Sequence, residues 1–396
     1  MKQLLTMLVA LLTAVALQAQ TADRLVTQND EEEGKKVVAY VTSWTTIMPD
    51  PMVMTHINYA FGGVGDDHRS VYADNLGRLQ QIVKLKEKNP RLKVLLSVGG
   101  WGRGGFSPMA ADADCRRAFA QACRTFCEQQ GLDGIDIDWE FPGDNSSGET
   151  SPRGEKQNYT LLMRDLREAL GEDLLLTMAS SSDPSRYDFR SCMQYLDFVN
   201  VMTYDMAGPP NHHSALYRGG TVGNGYLVAD ESISRHLQAG IPAKQLVMGL
   251  AFYGNSGRGE QISLQEIKWK LGSGDYVDHW DDVAKVPYLT TKDGSFAYGY
   301  DNQQSLTIKC QYILDRGLAG GMYWEYGNDD RLGTERKTVY NCLLAPDNAK
   351  LSIEEAALKQ KPTAGRHLFD LSGRLVANPL PRRVYISAGG KAVKGI

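Results

Sequence analysis

The sequence predicts an α/β protein, a closed (β/α)8 TIM barrel, with a small insertion between strands 7 and 8 and a short β-rich C-terminal tail. Three observations carry that prediction. Eight short apolar runs recur between Lys35 and Ala345, amphipathic stretches of helix length separate them, and most of the runs are apolar nearly throughout, as strands covered on both faces are. An open, doubly wound sheet is the alternative that the same pattern allows.

The runs, in order, are VVAYVTS at Val37, HINYAFG at His56, VLLSVGG at Val94 and GIDID at Gly134. LLLTMAS at Leu174, FVNVMT at Phe198, LVMGLAF at Leu246 and GGMYW at Gly320 complete the eight. The segment between Asp112 and Gln130 shows the intervening pattern well: Asp112 is placed to cap a helix that closes before Gly131. About 65 residues separate the seventh and eighth runs, more than a plain strand–helix unit needs. Residues 255–300, rich in Gly, Tyr and Asp, are therefore expected to form a small inserted subdomain. Beyond Ala345 the pattern stops. Residues 346–362 read as a linker with a short helix, and 363–396 as a β-rich tail with too few apolar residues for a core of its own.

The bulk properties bound the function. A net charge of −4 with no basic run argues against a nucleic-acid partner. Lys2 followed by the apolar run Leu4–Leu17 and the small residues Ala16 and Ala19 is the layout of a secretory signal peptide over residues 1–19. No later run approaches the length of a membrane span, so a soluble, exported monomer is expected, secreted or held in the periplasm or on the surface of a bacterium. Six cysteines in so long a chain do not make a disulfide framework, and Cys123 and Cys127, one helical turn apart, read as buried thiols. His212 and His213 are adjacent, which gives little support to zinc; neither a metal nor a cofactor is expected.

The chemistry concentrates in Asp133-Gly134-Ile135-Asp136-Ile137-Asp138-Trp139-Glu140. Side chains alternate along a strand, so Asp136, Asp138 and Glu140 share one face and Ile135, Ile137 and Trp139 the other. The apolar trio suits the helix-covered outside of a barrel, which turns three carboxylates inward and toward its C-terminal mouth. Carboxylates two residues apart couple their titrations, and burial with mutual repulsion keeps one of them protonated near neutral pH. Glu140, at the mouth, is then the natural general acid. Asp138 below it can change partner as charge develops, and Asp136 deeper in the barrel can share its proton.

With these residues in view, DGIDIDWE resembles the DxxDxDxE signature of glycoside hydrolase family 18, the chitinases and their relatives. SVGGW at Ser97, MTYD at Met202, GLAFYG at Gly249 and GGMYWE at Gly320 resemble that family's third-, sixth-, seventh- and eighth-strand motifs, in its order. The resemblance implies cleavage of β-linked N-acetylglucosamine polysaccharide by a retaining, substrate-assisted route that departs from the two-carboxylate scheme. In it Glu140 protonates the leaving oxygen, the substrate's own acetamido carbonyl attacks, Asp138 stabilises the oxazolinium ion and Tyr204 holds the acetamido group. Asp205 contacts the sugar or braces the site, and Met202 lines it. By the same transfer Trp324 is a platform under the sugar being cleaved, Trp101 a platform on the leaving-group side, and Tyr40 and Phe61 line the pocket. Trp44 and Tyr253 stay open between cleft lining and packing. Non-proline cis peptides are expected at Ala60–Phe61, Glu140–Phe141 and Trp324–Glu325. An insertion shorter than in the family's larger members implies a shallower groove, and the last thirty-odd residues resemble C-terminal sorting domains of secreted Bacteroidetes proteins.

Three other functions fit parts of the pattern. An endo-β-N-acetylglucosaminidase acting on N-glycans or peptidoglycan would share the acids, although MTYD and Trp324 resemble the chitinase branch more closely. A chitin-binding lectin on the same barrel would be expected to lack the terminal acid that Glu140 supplies. A metal-dependent barrel could use the acids as ligands, but no histidine lies near them in the sequence.

Overall fold

The structure, a computed structural model, describes residues 34–145, 154–208, 210–220, 223, 225–256 and 260–345, with the backbone of four short strands between 368 and 394. The expected signal segment (1–19) and linker (346–362) lie outside the described residues.

The eight apolar runs form eight strands: β1 (Lys36–Thr42), β2 (His56–Val64), β3 (Lys93–Gly99), β4 (Gly134–Asp138), β5 (Leu175–Ser180), β6 (Phe198–Val201), β7 (Leu246–Ala251) and β8 (Gly320–Trp324). Each pairs in parallel with its neighbours, and β1 bonds both β2 and β8. That last pairing closes the sheet into a barrel, so the open sheet does not form. At the closing seam β8 begins with Gly320, where a Cβ would stand 1.9 Å from the Lys36 carbonyl oxygen. Only glycine admits so close an approach.

Alternation along the strands sorts side chains into two layers. Val37, Ala39, Val41, Ile57, Tyr59, Val94, Leu96, Val98, Ile135 and Ile137 point outward into one large cluster with the helices. Val38, Tyr40, Phe198, Val247 and Met322 point inward and fill the barrel beneath the site. The helix Ala113–Gln130 shows how the outer layer is attached. Asp112 accepts hydrogen bonds from the backbone N–H groups of Asp114 and Cys115 at 2.9 and 2.8 Å, and Gly131 ends the helix in the left-handed region at φ 69°. Between these caps Phe119, Ala120, Cys123 and Cys127 are fully buried or nearly so, and a side chain such as Phe119 contributes about 2 kcal/mol by leaving water. All six cysteines are free.

Between β7 and β8 the chain builds a five-stranded antiparallel sheet in the order Gln261–Ser263, Tyr253–Ser256, Phe296–Gly299, Val286–Thr291, Tyr276–Asp281. A helix, Leu264–Ser273, is fastened to it by a capping box between Ser263 and Glu266. Residues from Ala345 onward are a separate unit, in which Leu368–Phe369, Leu375–Val376, Val384–Ser387 and Ala392–Lys394 pair as an antiparallel sheet. Among the described residues no helix is long and apolar enough to cross a membrane.

Candidate active site

A cleft of about 780 Å³ opens at the C-terminal ends of the barrel strands. Its lining includes Asp138, Glu140, Tyr40, Phe61, Trp101, Met202, Tyr204, Asp205 and Trp324, so nine of the ten sequence-selected residues meet there. The tenth, Asp136, lies in the barrel interior and is inaccessible to solvent.

Strand register explains how Asp136 is held. Ser97 on β3 and Thr177 on β5 are its lateral Cα partners, and both hydroxyls donate to its carboxylate, at 2.8 and 2.6 Å. The Tyr40 hydroxyl from β1 donates at 2.8 Å and the Asn200 amide from β6 at 3.3 Å. Burial pushes the Asp136 carboxyl up, and these four donors pull it back part of the way. Asp138, one pleat nearer the mouth, is 3% exposed and its Oδ1 has no hydrogen-bond partner. Burial first, then the charges of Glu140 and Asp136, push its carboxyl well above the usual range. Gly99 on β3 lets the two strands approach closely here: with φ 119°, a Cβ there would lie 2.1 Å from the Asp138 backbone carbonyl oxygen.

Glu140 sits above them, half-buried. Burial pushes its carboxyl up to about 7, the charge of Asp205 adds to the rise, and a backbone hydrogen bond from Trp101 opposes it. A proton-donating Glu140 is the active form, so kcat/KM is expected to fall about tenfold per unit as pH climbs past 7. A pH–rate profile on free enzyme checks this, and an alkaline limb near the ordinary carboxylate range would remove Glu140 as the acid.

The walls are aromatic. Trp324 stacks on Phe61 at 5.6 Å with 20° between the rings, and Tyr40 and Trp44 tilt against it at 5.7 and 6.4 Å. Trp44, left open by the sequence, lines the cleft and is 62% exposed; Tyr253, the other residue left open, is buried and packs against Tyr204. Trp101, 60% exposed, meets Phe141 edge-on at 6.3 Å. Tyr204 places its hydroxyl 3.6 Å from the Met322 sulfur, within the influence of Asp138 and Glu140.

Sequence reasoning missed part of the cleft. Phe141, Ser181, Ser182, Asp183, Arg186, Tyr226 and Gln261 also line it. Arg186 pairs with Asp144 at 2.5 Å and lies 5.1 Å over the Phe141 ring, and the Tyr226 hydroxyl donates to Asp183. Phe141 directly follows Glu140 and was within reach of the motif; Gln261 opens a short strand of the insertion, and the others stand on loops or a single 3-10 turn with no period to mark them. For a metal, Asp329, Asp330 and Glu335 bring carboxylate oxygens within 4.8 Å of one another, among the described residues. Most of their oxygens are already used: Asp329 and Asp330 accept from backbone N–H groups around the start of helix Thr334–Leu343, and Lys268 and Arg336 pair with the cluster, while Glu335 Oε2 makes no hydrogen bond within the protein. Its acids therefore read as a capped helix terminus.

The profile of the family described as Glycosyl hydrolases family 18 matches residues 36–329, the whole barrel through the loop after β8. The chain belongs to glycosyl hydrolase family 18. Similar proteins include chitinase A1 of Niallia circulans, 32% identical over 77% of this chain and 48% of that protein, so the chain spans about half of that relative's length. Chitotriosidase-1 of Mus musculus is 31% identical over 76% of this chain and 74% of its own. Among solved structures, a family 18 N-acetylglucosaminidase from Paenibacillus barengoltzii superposes with a TM-score of 0.70 at 34% identity, covering 78% of this chain and all of that one. The Ostrinia furnacalis group IV chitinase in complex with allosamidin gives 0.70 at 28% identity, covering 81% and 99%. The peptide bonds that the family resemblance pointed to, Ala60–Phe61, Glu140–Phe141 and Trp324–Glu325, are cis.

Proposed function

We propose that the protein is a chitinase-type glycosidase that hydrolyses β-1,4-linked N-acetylglucosamine chains by a substrate-assisted, retaining mechanism. One observation carries the reading: Glu140 lines the cleft mouth above Asp138, with burial pushing its carboxyl up to about 7, while Asp136 lies below, out of solvent and held by four donors. All the oxygens of Asp136 are engaged by donors, and Asp138 is pushed toward its neutral form. An attacking group must then come with the substrate, and a 2-acetamido carbonyl is suited to that role.

In this scheme the sugar rests on Trp324 backed by Phe61, and its acetamido group lies between Asp138 and Tyr204. Glu140 gives its proton to the glycosidic oxygen as the acetamido oxygen closes on the anomeric carbon. As positive charge develops, Asp138 gives its proton to Asp136 below it and stabilises the oxazolinium as a carboxylate; Glu140, now ionised, deprotonates the water that opens the ring, and the proton returns from Asp136 to Asp138. Trp101 and Phe141 offer the departing sugars an apolar face. The N-terminal apolar run supports export as part of the same proposal.

A thiazoline analogue of an N-acetylglucosamine oligomer is expected to inhibit at least about a hundredfold more tightly than the matching oligomer binds. Labelled chito-oligosaccharides should be cut and a high-mannose glycopeptide left intact. Cleavage of the glycopeptide alone would move the enzyme to the endo-β-N-acetylglucosaminidases, and a sugar ester trapped on Asp136, Asp138 or Glu140 would overturn the mechanism. A second reading, release of single N-acetylglucosamine units, is favoured by the likeness to the Paenibacillus N-acetylglucosaminidase, and the length of the first product from a hexamer decides between them.

A further inference from the structure

We propose that His213 is a positioning residue of this active site: it holds the Asp205 carboxylate beside Glu140, and its own loop is bolted down so that it can do so. The inference rests on the reading of Glu140 given above and adds a group that the motifs do not contain.

Asp205 leaves β6 in the left-handed region, at φ 51°, which turns its side chain across the cleft mouth. One carboxylate oxygen, Oδ1, receives the Asn255 amide at 3.1 Å and faces His213 Nδ1 at 3.4 Å; Oδ2 receives the Gln261 amide at 3.2 Å. The Asp205 side chain is 44% exposed, whereas the His213 side chain is 2% exposed, and Asp205 is the only acid within ion-pair reach of its ring, among the described residues. Neither ring nitrogen of His213 makes a hydrogen bond within the protein, so the contact to Asp205 is a charge-range approach and not a formed hydrogen bond. A buried imidazole so placed has little other use for its Nδ1. Its ring lies against Tyr253 at 5.1 Å, and Tyr253 against Tyr204 at 6.1 Å, which ties its position to the floor of the site.

Consecutive residues of this loop are anchored to three different elements. His212 Nε2 meets Asp281 of the inserted sheet at 3.2 Å. The Ser214 hydroxyl donates to Asp301 at 2.8 Å, and the His213 carbonyl accepts from the Met206 backbone at 3.0 Å. Asp301 is itself fixed by Lys309, whose ammonium reaches both its oxygens at 2.7 and 2.6 Å with neither side chain exposed, and by Ser305 at 2.6 Å. Such a pair is costly to bury and yields a fixed geometry in return. Here that geometry places His213.

The charged and titratable groups around His213 are Asp205 on the cleft side, the adjacent His212 with its partner Asp281, Tyr253 with Tyr204 beyond it, and, reached through Ser214, Asp301 with Lys309. Of these, Asp205 is the one whose charge acts on Glu140. Burial raises the Asp205 carboxyl, and His213 first, then Tyr253 and Asn255, more than reverse it, so its carboxyl lies below the usual range. Without His213 the half-exposed carboxylate would be free to turn toward water, and its push on Glu140 would fade.

The test is the pH profile of kcat/KM for full-length His213→Ala and His213→Asn on a chromogenic chitobioside, with melting temperatures measured alongside. In His213→Ala the alkaline limb is expected to move toward acid by about half a unit or more. The Asn amide occupies the place of Nδ1 and should restore most of the shift. An alkaline limb that stays within about 0.2 unit of wild type in both variants, whatever happens to rate or melting temperature, overturns the proposal. If Glu140→Gln kept its activity the reading of Glu140 would fail first, whereas an inactive Glu140→Gln beside an unshifted His213→Ala would sink only the role of His213.

Discussion

Glu140→Gln is expected to lower kcat by at least about 10³-fold, roughly 4 kcal/mol of transition-state stabilisation, while chito-oligosaccharide affinity stays near that of wild type. The variant copies the shape and charge of protonated Glu140, the form favoured below about 7, so the resting cleft should not notice it. What it cannot do is give up a proton and take one back. Steady-state rates with calorimetric binding separate these effects, and activity within tenfold of wild type would remove Glu140 from the mechanism. Addition of EDTA to the wild type should change nothing, and a loss restored by metal would favour a metal-dependent barrel.

The second large effect is expected at Asp138. Asp138→Asn should cost about 10²- to 10³-fold in kcat, with KM changed little. Asp138 is crowded by Glu140 and Asp136 and held toward its neutral form, with one oxygen lacking any partner. An amide fits that resting state at least as well, so the melting temperature should hold or rise. The loss arises only when positive charge develops on the substrate, because an amide cannot answer it as a carboxylate does. A variant within about threefold of wild type would place the stabilising charge elsewhere.

The barrel and its acid face were legible for the same reason: both are periodic. Alternation put Ile135 and Ile137 outside and Asp136 and Asp138 inside, and the closed sheet repeats that division on its other strands. The motifs brought Trp324, Trp101, Tyr204 and Asp205 to the cleft because each ends a strand, or follows its end by a few residues, and the barrel dictates the direction of that strand. Tyr40 was legible by half: its ring lines the cleft as expected, yet its hydroxyl serves Asp136. Arg186, Tyr226 and His213 were not legible. They lie on loops, and which loop residue meets which cleft residue depends on the paths of chain segments that no periodicity encodes. The adjacency of His212 and His213 counted against a metal and said nothing of Asp205.

Asp136 draws its donors from β1, β3, β5 and β6, so one carboxylate gathers the contributions of four strands spread around the ring. A half-closed barrel would strand that charge in a drying interior with some of its partners missing, and intermediates of that kind are penalised in proportion to how much of the ring is open. The catalytic floor and the closure of the sheet are thereby one thermodynamic event. Chemical denaturation should erase hydrolysis and the near-ultraviolet signal of the packed aromatics along a single curve, leaving no window in which an inactive barrel persists.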